Sequence, residues 1–215
     1  MNKNLFITFE GIDGCGKDTQ LNKLVEQIRE DDNFPFGDKY SSVWITREPT
    51  KLTDQGKLIS QKIREQDVSK EEATKLYIED RIQHSKLIKE ILSHSHVCCS
   101  RYDLSTLSYQ MTQGMDFDYL YELHKYGQFN GTLIPDITII FLIDEEIANK
   151  RINSRNGITE CFEKREFQKK LVDNLNFCIE KLEKKGRIII QVNANQPIEE
   201  VSKEMFEKIY SYLNS

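Results

Sequence analysis

The sequence predicts an α/β fold, a parallel sheet with helices on both faces, and three observations carry that prediction. Short apolar runs alternate with longer amphipathic stretches along all 215 residues, the rhythm of linked strand–helix–strand units. A glycine loop follows the first apolar run and opens a helical stretch. Charged residues gather where successive strands end, which is where open parallel sheets bind ligands.

The elements follow in order. Leu5–Phe9 reads as the first strand. After it comes Gly11-Ile12-Asp13-Gly14-Cys15-Gly16-Lys17-Asp18-Thr19. The phosphate-loop pattern G-x-x-x-x-G-K-[ST] is met by Gly11, Gly16 and Lys17 and departs at Asp18. Glycines let backbone N–H groups curl around phosphates, and the lysine reaches the terminal phosphate oxygens. The hydroxyl missing at Asp18 normally binds magnesium. From Lys17 to about Glu30, Leu21, Leu24, Val25 and Ile28 recur at helical spacing. Ser42–Thr46 is the second strand, with Arg47-Glu48-Pro49 at its end. Helical segments over about Thr53–Arg64 and Ser69–Ser93 precede a short third strand, His96–Cys99, which exits into Ser100-Arg101-Tyr102. Two more helical patterns cover about Ser105–Gln113 and Asp116–Tyr126. Asp136–Ile143 is apolar on consecutive positions, as expected of a buried parallel strand. A helix from about Glu145 runs into Arg151, Arg155 and Gly157, and the stretch around Asn153–Cys161 is aperiodic and a candidate mobile lid. A long helix over Glu163–Lys185, a strand over Arg187–Val192 and a helix over about Pro197–Leu213 complete the chain.

Bulk properties narrow the function. The length fits a single domain over 1–215. The 38% hydrophobic and 30% charged content describes a soluble globular protein, and the net charge of −5 argues against a partner such as duplex nucleic acid, which needs a basic face. Cys15, Cys98, Cys99, Cys161 and Cys178 form no C-x-x-C pair, so neither a zinc ribbon nor a disulfide framework is indicated, and a cytoplasmic location fits best. No run approaches the roughly 20 apolar residues of a membrane span, and no secretory signal is visible.

Together the motifs resemble the thymidylate kinases, nucleoside monophosphate kinases of the phosphate-loop class. The resemblance rests on Phe9-Glu10-Gly11-Ile12-Asp13-Gly14, Thr46-Arg47-Glu48-Pro49, Leu76–His84, Arg101–Gln110 and Pro135-Asp136, in that order. It implies a three-layer sandwich on a five-stranded sheet of order 2-3-1-4-5, a short lid over about 153–162 and a homodimer. It implies phosphoryl transfer from ATP to dTMP, giving dTDP and ADP, with Mg2+ present. The loop from Gly11 to Thr19, including Ile12, Cys15 and Asp18, would hold the ATP phosphates. Lys17 would neutralise the transferring group, and Asp13 would sit near the sugar 3′-hydroxyl and the metal. Arg47 and Arg101 would hold the acceptor phosphate, and Ser105 belongs to the same acceptor segment. Tyr77 would stack on the base, Arg81 and Thr106 would contact it, and the Tyr109 ring would exclude a 2′-hydroxyl. Two other readings are a related kinase with a different deoxynucleotide acceptor and a weakly active nucleotide-binding relative.

The chain departs from the family pattern at several places. Asp18 replaces the loop Ser/Thr, and Ser100 replaces the aspartate before the third-strand arginine. Those two groups normally flank magnesium from opposite sides, so the chemical types are exchanged and a metal site at Asp18 and Ser100 is still expected. Thr50-Lys51 replaces glycines after Arg-Glu-Pro. Glu160-Cys161-Phe162-Glu163 lacks a lid arginine and Gly14 lacks a loop arginine, leaving Arg151, Arg155 and Arg165 as lid candidates, with Arg155 chosen for catalysis.

Overall fold

Five strands form one parallel sheet: β1 (Phe6–Glu10), β2 (Val43–Arg47), β3 (His96–Ser100), β4 (Ile137–Leu142) and β5 (Ile189–Asn193). Their order is β2-β3-β1-β4-β5, as the resemblance implies. The structure, a computed structural model, describes residues 4–30, 42–156 and 162–214, with the backbone alone for residues 155–156 and 162–165. The helices among the described residues are α1 (Lys17–Glu30), α2 (Asp54–Glu65), α3 (Lys70–Ile91), α4 (Asp103–Thr112), α5 (Phe117–Phe129), α6 (Glu145–Asn156), α7 (Phe162–Glu183) and α8 (Ile198–Leu213).

Position in the sheet explains strand composition. β1 is central and buried along its whole length, whereas the edge strand β2 is mostly half-buried or exposed. β4 is buried over five consecutive residues, so its uninterrupted apolar run reflects cover on both faces. Alternate side chains of β1 face opposite layers. Phe6 meets Val97, Cys99 and Ile88 of α3. Ile7 and Phe9 join Leu21, Leu24 and Ile28 of α1. Each such large buried side chain contributes about 1.5–3 kcal/mol. Cys98 and Cys99 are fully buried, which is why they sit in an apolar run. α8 packs beside α1, and Gln20 locks the two together by donating to Ile198 O at 3.0 Å and accepting from the Ser202 hydroxyl at 2.8 Å. α4 and α5 pack against α3, and α7 packs against α4.

Register places the ligand-bearing strand ends level with one another. Phe9 of β1 pairs with Ser100 of β3, and Ser100 also pairs with Arg47 of β2. The phosphate loop, Arg47 and Arg101 therefore leave the same edge of the sheet. On the other side of β1, the paired residues Thr8 and Thr138 share a hydroxyl hydrogen bond of 3.1 Å.

Two stretches differ from the pattern in the sequence. α4 starts at Asp103, two residues earlier than its apolar spacing indicates, because the carboxylate of Glu10 accepts from the backbone N–H of Tyr102 at 2.8 Å and of Ser105 at 3.3 Å. This supplies from another strand the cap that Tyr102 lacks. α6 continues through Asn156, so the first residues of the expected lid, 153–156, are helical. The last residues of that helix, Asn153-Ser154-Arg155-Asn156, are all polar, so apolar periodicity does not fix its end. The rest of the expected lid, 157–161, lies outside the described residues.

Candidate active site

The phosphate loop is built where β1 ends and α1 begins. Its glycines hold positive φ: Gly11 at 139°, Gly14 at 84° and Gly16 at 90°. At Gly14 a side chain is also excluded by space, since a Cβ would lie 2.5 Å from the Ala148 carbonyl oxygen of α6. Lys17 is buried and its ammonium rests 3.5 Å from Ile12 O. Burial and the nearby Arg101 guanidinium hold its pKa below the usual lysine value. An incoming phosphate would relieve both effects.

Beside the loop, the Ser100 hydroxyl donates to Asp18 Oδ1. Ser100 is buried at the end of β3, and Asp18 is exposed in the first turn of α1, where the helix dipole favours a carboxylate. Arg47 is exposed, with Nη2 4.0 Å from Asp18 Oδ2.

Arg101 links this region to a cavity. Its backbone sits at φ 66°, a left-handed conformation that costs a non-glycine residue about 1 kcal/mol or more. Its N–H donates to Phe9 O at 2.9 Å. The guanidinium donates to Asp13 Oδ1 at 2.5 Å and to Ser105 Oγ at 3.2 Å, and lies 5.2 Å from the centre of the Tyr109 ring. The Tyr109 hydroxyl donates to Asp13 Oδ2 at 3.3 Å. Burial pushes Asp13 up, but the charges of Arg101 and Lys17 outweigh it and hold the carboxyl below its ordinary value. Tyr109 is pushed up to about 12, chiefly by burial.

The cavity has a volume of about 270 Å³, and Asp13, Tyr77, Arg81, Arg101, Ser105, Thr106 and Tyr109 all line it. This is a basic, aromatic-walled space suited to a flat ring carrying an anionic group. Arg81 projects from α3 and is buried. Nε donates to Glu48 Oε2 at 2.7 Å, and Nη2 donates to Thr106 Oγ1 at 2.9 Å. Nη1 lies 3.3 Å from His124 Nε2. The guanidinium also stacks 4.7 Å from the centre of the Tyr102 ring.

The sequence model of the family described as Thymidylate kinase matches residues 9–205. The chain belongs to the thymidylate kinase family. It is 36% identical over 213 residues to a probable thymidylate kinase of Methanococcus maripaludis strain S2, covering 96% of this chain and 95% of the relative. It is 34% identical over 206 residues to a probable thymidylate kinase of Methanocaldococcus jannaschii, covering 95% of each chain. A probable thymidylate kinase of Methanosarcina mazei is 33% identical over 210 residues, with 96% of each covered. Membership makes the chain a nucleoside monophosphate kinase, a phosphotransferase.

Within this thymidylate kinase site, Arg47 alone of the expected acceptor residues stands off the cavity, beside Asp18. The side chains of Arg155 and Arg165 lie outside the described residues. Arg151 donates to Gln196 O at 3.0 Å, which ties α6 to the loop before α8. Glu48 and Gln110 are among the cavity residues that the sequence did not mark. Glu48 is buried and shared between Arg81 and His84 Nδ1, the latter at 3.1 Å. Gln110 is buried, lines the cavity and has no partner for its Oε1. Both stand inside motifs that carry the family resemblance, Arg-Glu-Pro and Tyr-Gln, and that adjacency is the signal that could have found them. The Thr50 departure is accommodated locally. Thr50 is buried, its N–H donates to Asp80 Oδ2 at 2.9 Å, and its Oγ1 accepts from Leu52 N at 3.2 Å.

Proposed function

We propose that the chain transfers the terminal phosphoryl group of ATP to dTMP, with ATP on the Gly11–Thr19 loop and dTMP in the cavity. The observation that carries this reading is Arg101, which contacts the loop residue Asp13 and lines the cavity in one pose. Phosphoryl transfer asks a protein mainly for positioning and for cations near the moving charge. Arg101 and Lys17, which lie close enough for their charges to interact, supply those cations. Asp13 accepts from Arg101 and Tyr109, and the sugar 3′-hydroxyl would exchange into that network. Tyr77 offers a ring to the base. Arg81 and Thr106 offer donors to its edge, since a guanidinium has more N–H groups than its protein bonds use. Gln110 presents an acceptor to a ring N–H of the base. Tyr109, stacked on Arg101, crowds the sugar edge and favours deoxyribose.

Magnesium, when bound, neutralises phosphate charge and fixes the phosphate geometry. Asp18 and Ser100 fit it: they are hard oxygen donors that touch each other beside the loop. Arg47, next to Asp18, would hold the acceptor phosphate as it approaches the loop. A cytoplasmic location accords with Cys15, Cys98, Cys99 and Cys178, which are free thiols. A homodimer is favoured by Leu58 and Ile63 on α2, Leu87 on α3, and Tyr126 and Phe129 on α5. These are exposed apolar residues on helices that pack side by side, and sedimentation equilibrium tests it.

The kinase assignment is tested by ADP release with ATP and a panel of monophosphates. Turnover is expected to be highest with dTMP, and Arg101→Ala is expected to lower kcat by about a hundredfold or more. Equal turnover with dUMP or dCMP would overturn the acceptor choice.

A further inference from the structure

We propose that Asp18 and Ser100 form a metal half-site of reversed polarity, which makes nucleotide binding by this kinase unusually dependent on the cation. The inference rests on the metal-assisted reading above. In the common phosphate loop the hydroxyl is on the loop and the carboxylate is on the neighbouring strand. Here the same O–H···O bond is present with its ends exchanged. A serine hydroxyl has one proton to give and a carboxylate only accepts, so the direction is set: Ser100 on β3 donates to Asp18 on the loop.

That exchange moves the negative charge. Ser100 is buried and its backbone is held by its register with Phe9 and Arg47, so its hydroxyl orients its partner from a fixed place. Asp18 is exposed at the mouth of the loop, and among the described residues none donates a hydrogen bond to its Oδ2, with Arg47 4.0 Å away. A phosphate group settling on the loop N–H groups therefore meets a carboxylate on the cradle itself. Without a cation the two repel. With a cation between them, the carboxylate is a stronger ligand than the hydroxyl it replaces. Arg47 offsets part of the charge, but its distance and exposure leave that interaction screened. Reversing the polarity thus penalises metal-free ATP and favours the metal complex, so both changes raise the coupling between ion and nucleotide.

The test measures binding, not turnover. The affinity for a non-hydrolysable ATP analogue is determined by calorimetry in EDTA and again in Mn2+, and Mn2+ bound with the analogue is counted by electron paramagnetic resonance. Asp18→Ser is expected to bind the metal-free analogue about tenfold more tightly than the unaltered protein, and to lose about tenfold of the affinity gained on adding Mn2+. Asp18→Asn, which keeps the shape and removes the charge, is expected to move both values the same way. Adding Ser100→Asp to Asp18→Ser is expected to recover the Mn2+ gain. The inference is overturned if Asp18→Ser and Asp18→Asn leave the metal-free affinity unchanged, or if the effects of Asp18→Ser and Ser100→Asp simply add. If the unaltered protein gains nothing from Mn2+, the metal-assisted reading fails with it. Thermal unfolding of each variant confirms that the comparison is between folded proteins.

Discussion

Glu48 divides its carboxylate between two buried partners. Oε2 takes the Arg81 Nε–H and Oε1 faces His84 Nδ1, while His84 Nε2 is 2.9 Å from the Thr46 hydroxyl. Burial alone would push the Arg81 guanidinium down, and the charge of Glu48 instead raises it. Breaking such a pair strands a charge in the interior. Glu48→Gln is accordingly expected to destabilise the protein by about 3 kcal/mol, measured by urea unfolding. It is also expected to raise KM for dTMP more than it lowers kcat, because in the proposed function Arg81 contacts the base and not the moving phosphate. An unchanged urea midpoint would show that the pair contributes nothing net. The sequence places Arg81 inside a helical pattern, where a charge usually points to solvent and pairs with a residue one turn away. Only its motif marked it for the site. Its partner is 33 residues away, just past the end of β2, so no local spacing could reveal the pair.

At the scale of elements, the start of α2 shows how closely backbones approach under the site. A Cβ on Gly56 would collide with Thr50 O and lie 2.6 Å from Asp80 Oδ1. Asp80 is the anchor there, accepting from Thr50 N and from the Thr53 hydroxyl, and Thr53 also caps α2 by accepting from Gly56 N at 2.9 Å. Gly56→Ala is expected to cost about 2 kcal/mol or more, seen as a drop in Tm of several degrees. Gly16→Ala meets no neighbour within 4 Å and is opposed only by its φ, so its loss of stability should be the smaller of the two. Strands were legible wherever cover is symmetrical, as in β4, and the phosphate loop was legible because glycine and lysine spacing encodes its shape directly. The start of α4 and the end of α6 were not. One depends on a cap donated by Glu10 of β1, and the other has no apolar face to read.

For the molecule as a whole, acid sensitivity follows from two buried groups whose shifts act in the same direction. His124 is lowered to about 4, first by burial and then by the Arg81 charge. Its Nδ1–H faces Leu120 O at 2.8 Å and its Nε2 faces Arg81, which leaves no room for a second proton. An unfolded histidine takes up that proton near pH 6.5, so the unfolded chain binds more protons between pH 6.5 and 4. Stability is therefore full above pH 6.5 and falls as pH drops toward 4, by up to about 3 kcal/mol. Asp103 is held at about 2, where burial is outweighed by Arg187, which donates to it at 2.5 Å. Its contribution is present above the ordinary carboxylate value and is lost as pH falls from there toward 2. His124→Gln is expected to flatten the pH 6.5–4 limb in chemical unfolding and leave the lower limb intact. An unaltered slope would show that His124 does not set it.

The pairing of Phe9 with Ser100 has a further result for how the molecule measures distance. On the proposed function, the donor's cradle grows from the end of β1 and the acceptor's arginine from the end of β3, two adjacent strands separated by about 4.8 Å. The gap a phosphoryl group must cross is thus counted in units of backbone spacing, like marks on a ruler. Side chains around it can change, as Asp18 and Ser100 do, and connecting loops can lengthen, without altering the scale. Only a slip of the strands themselves would recalibrate it.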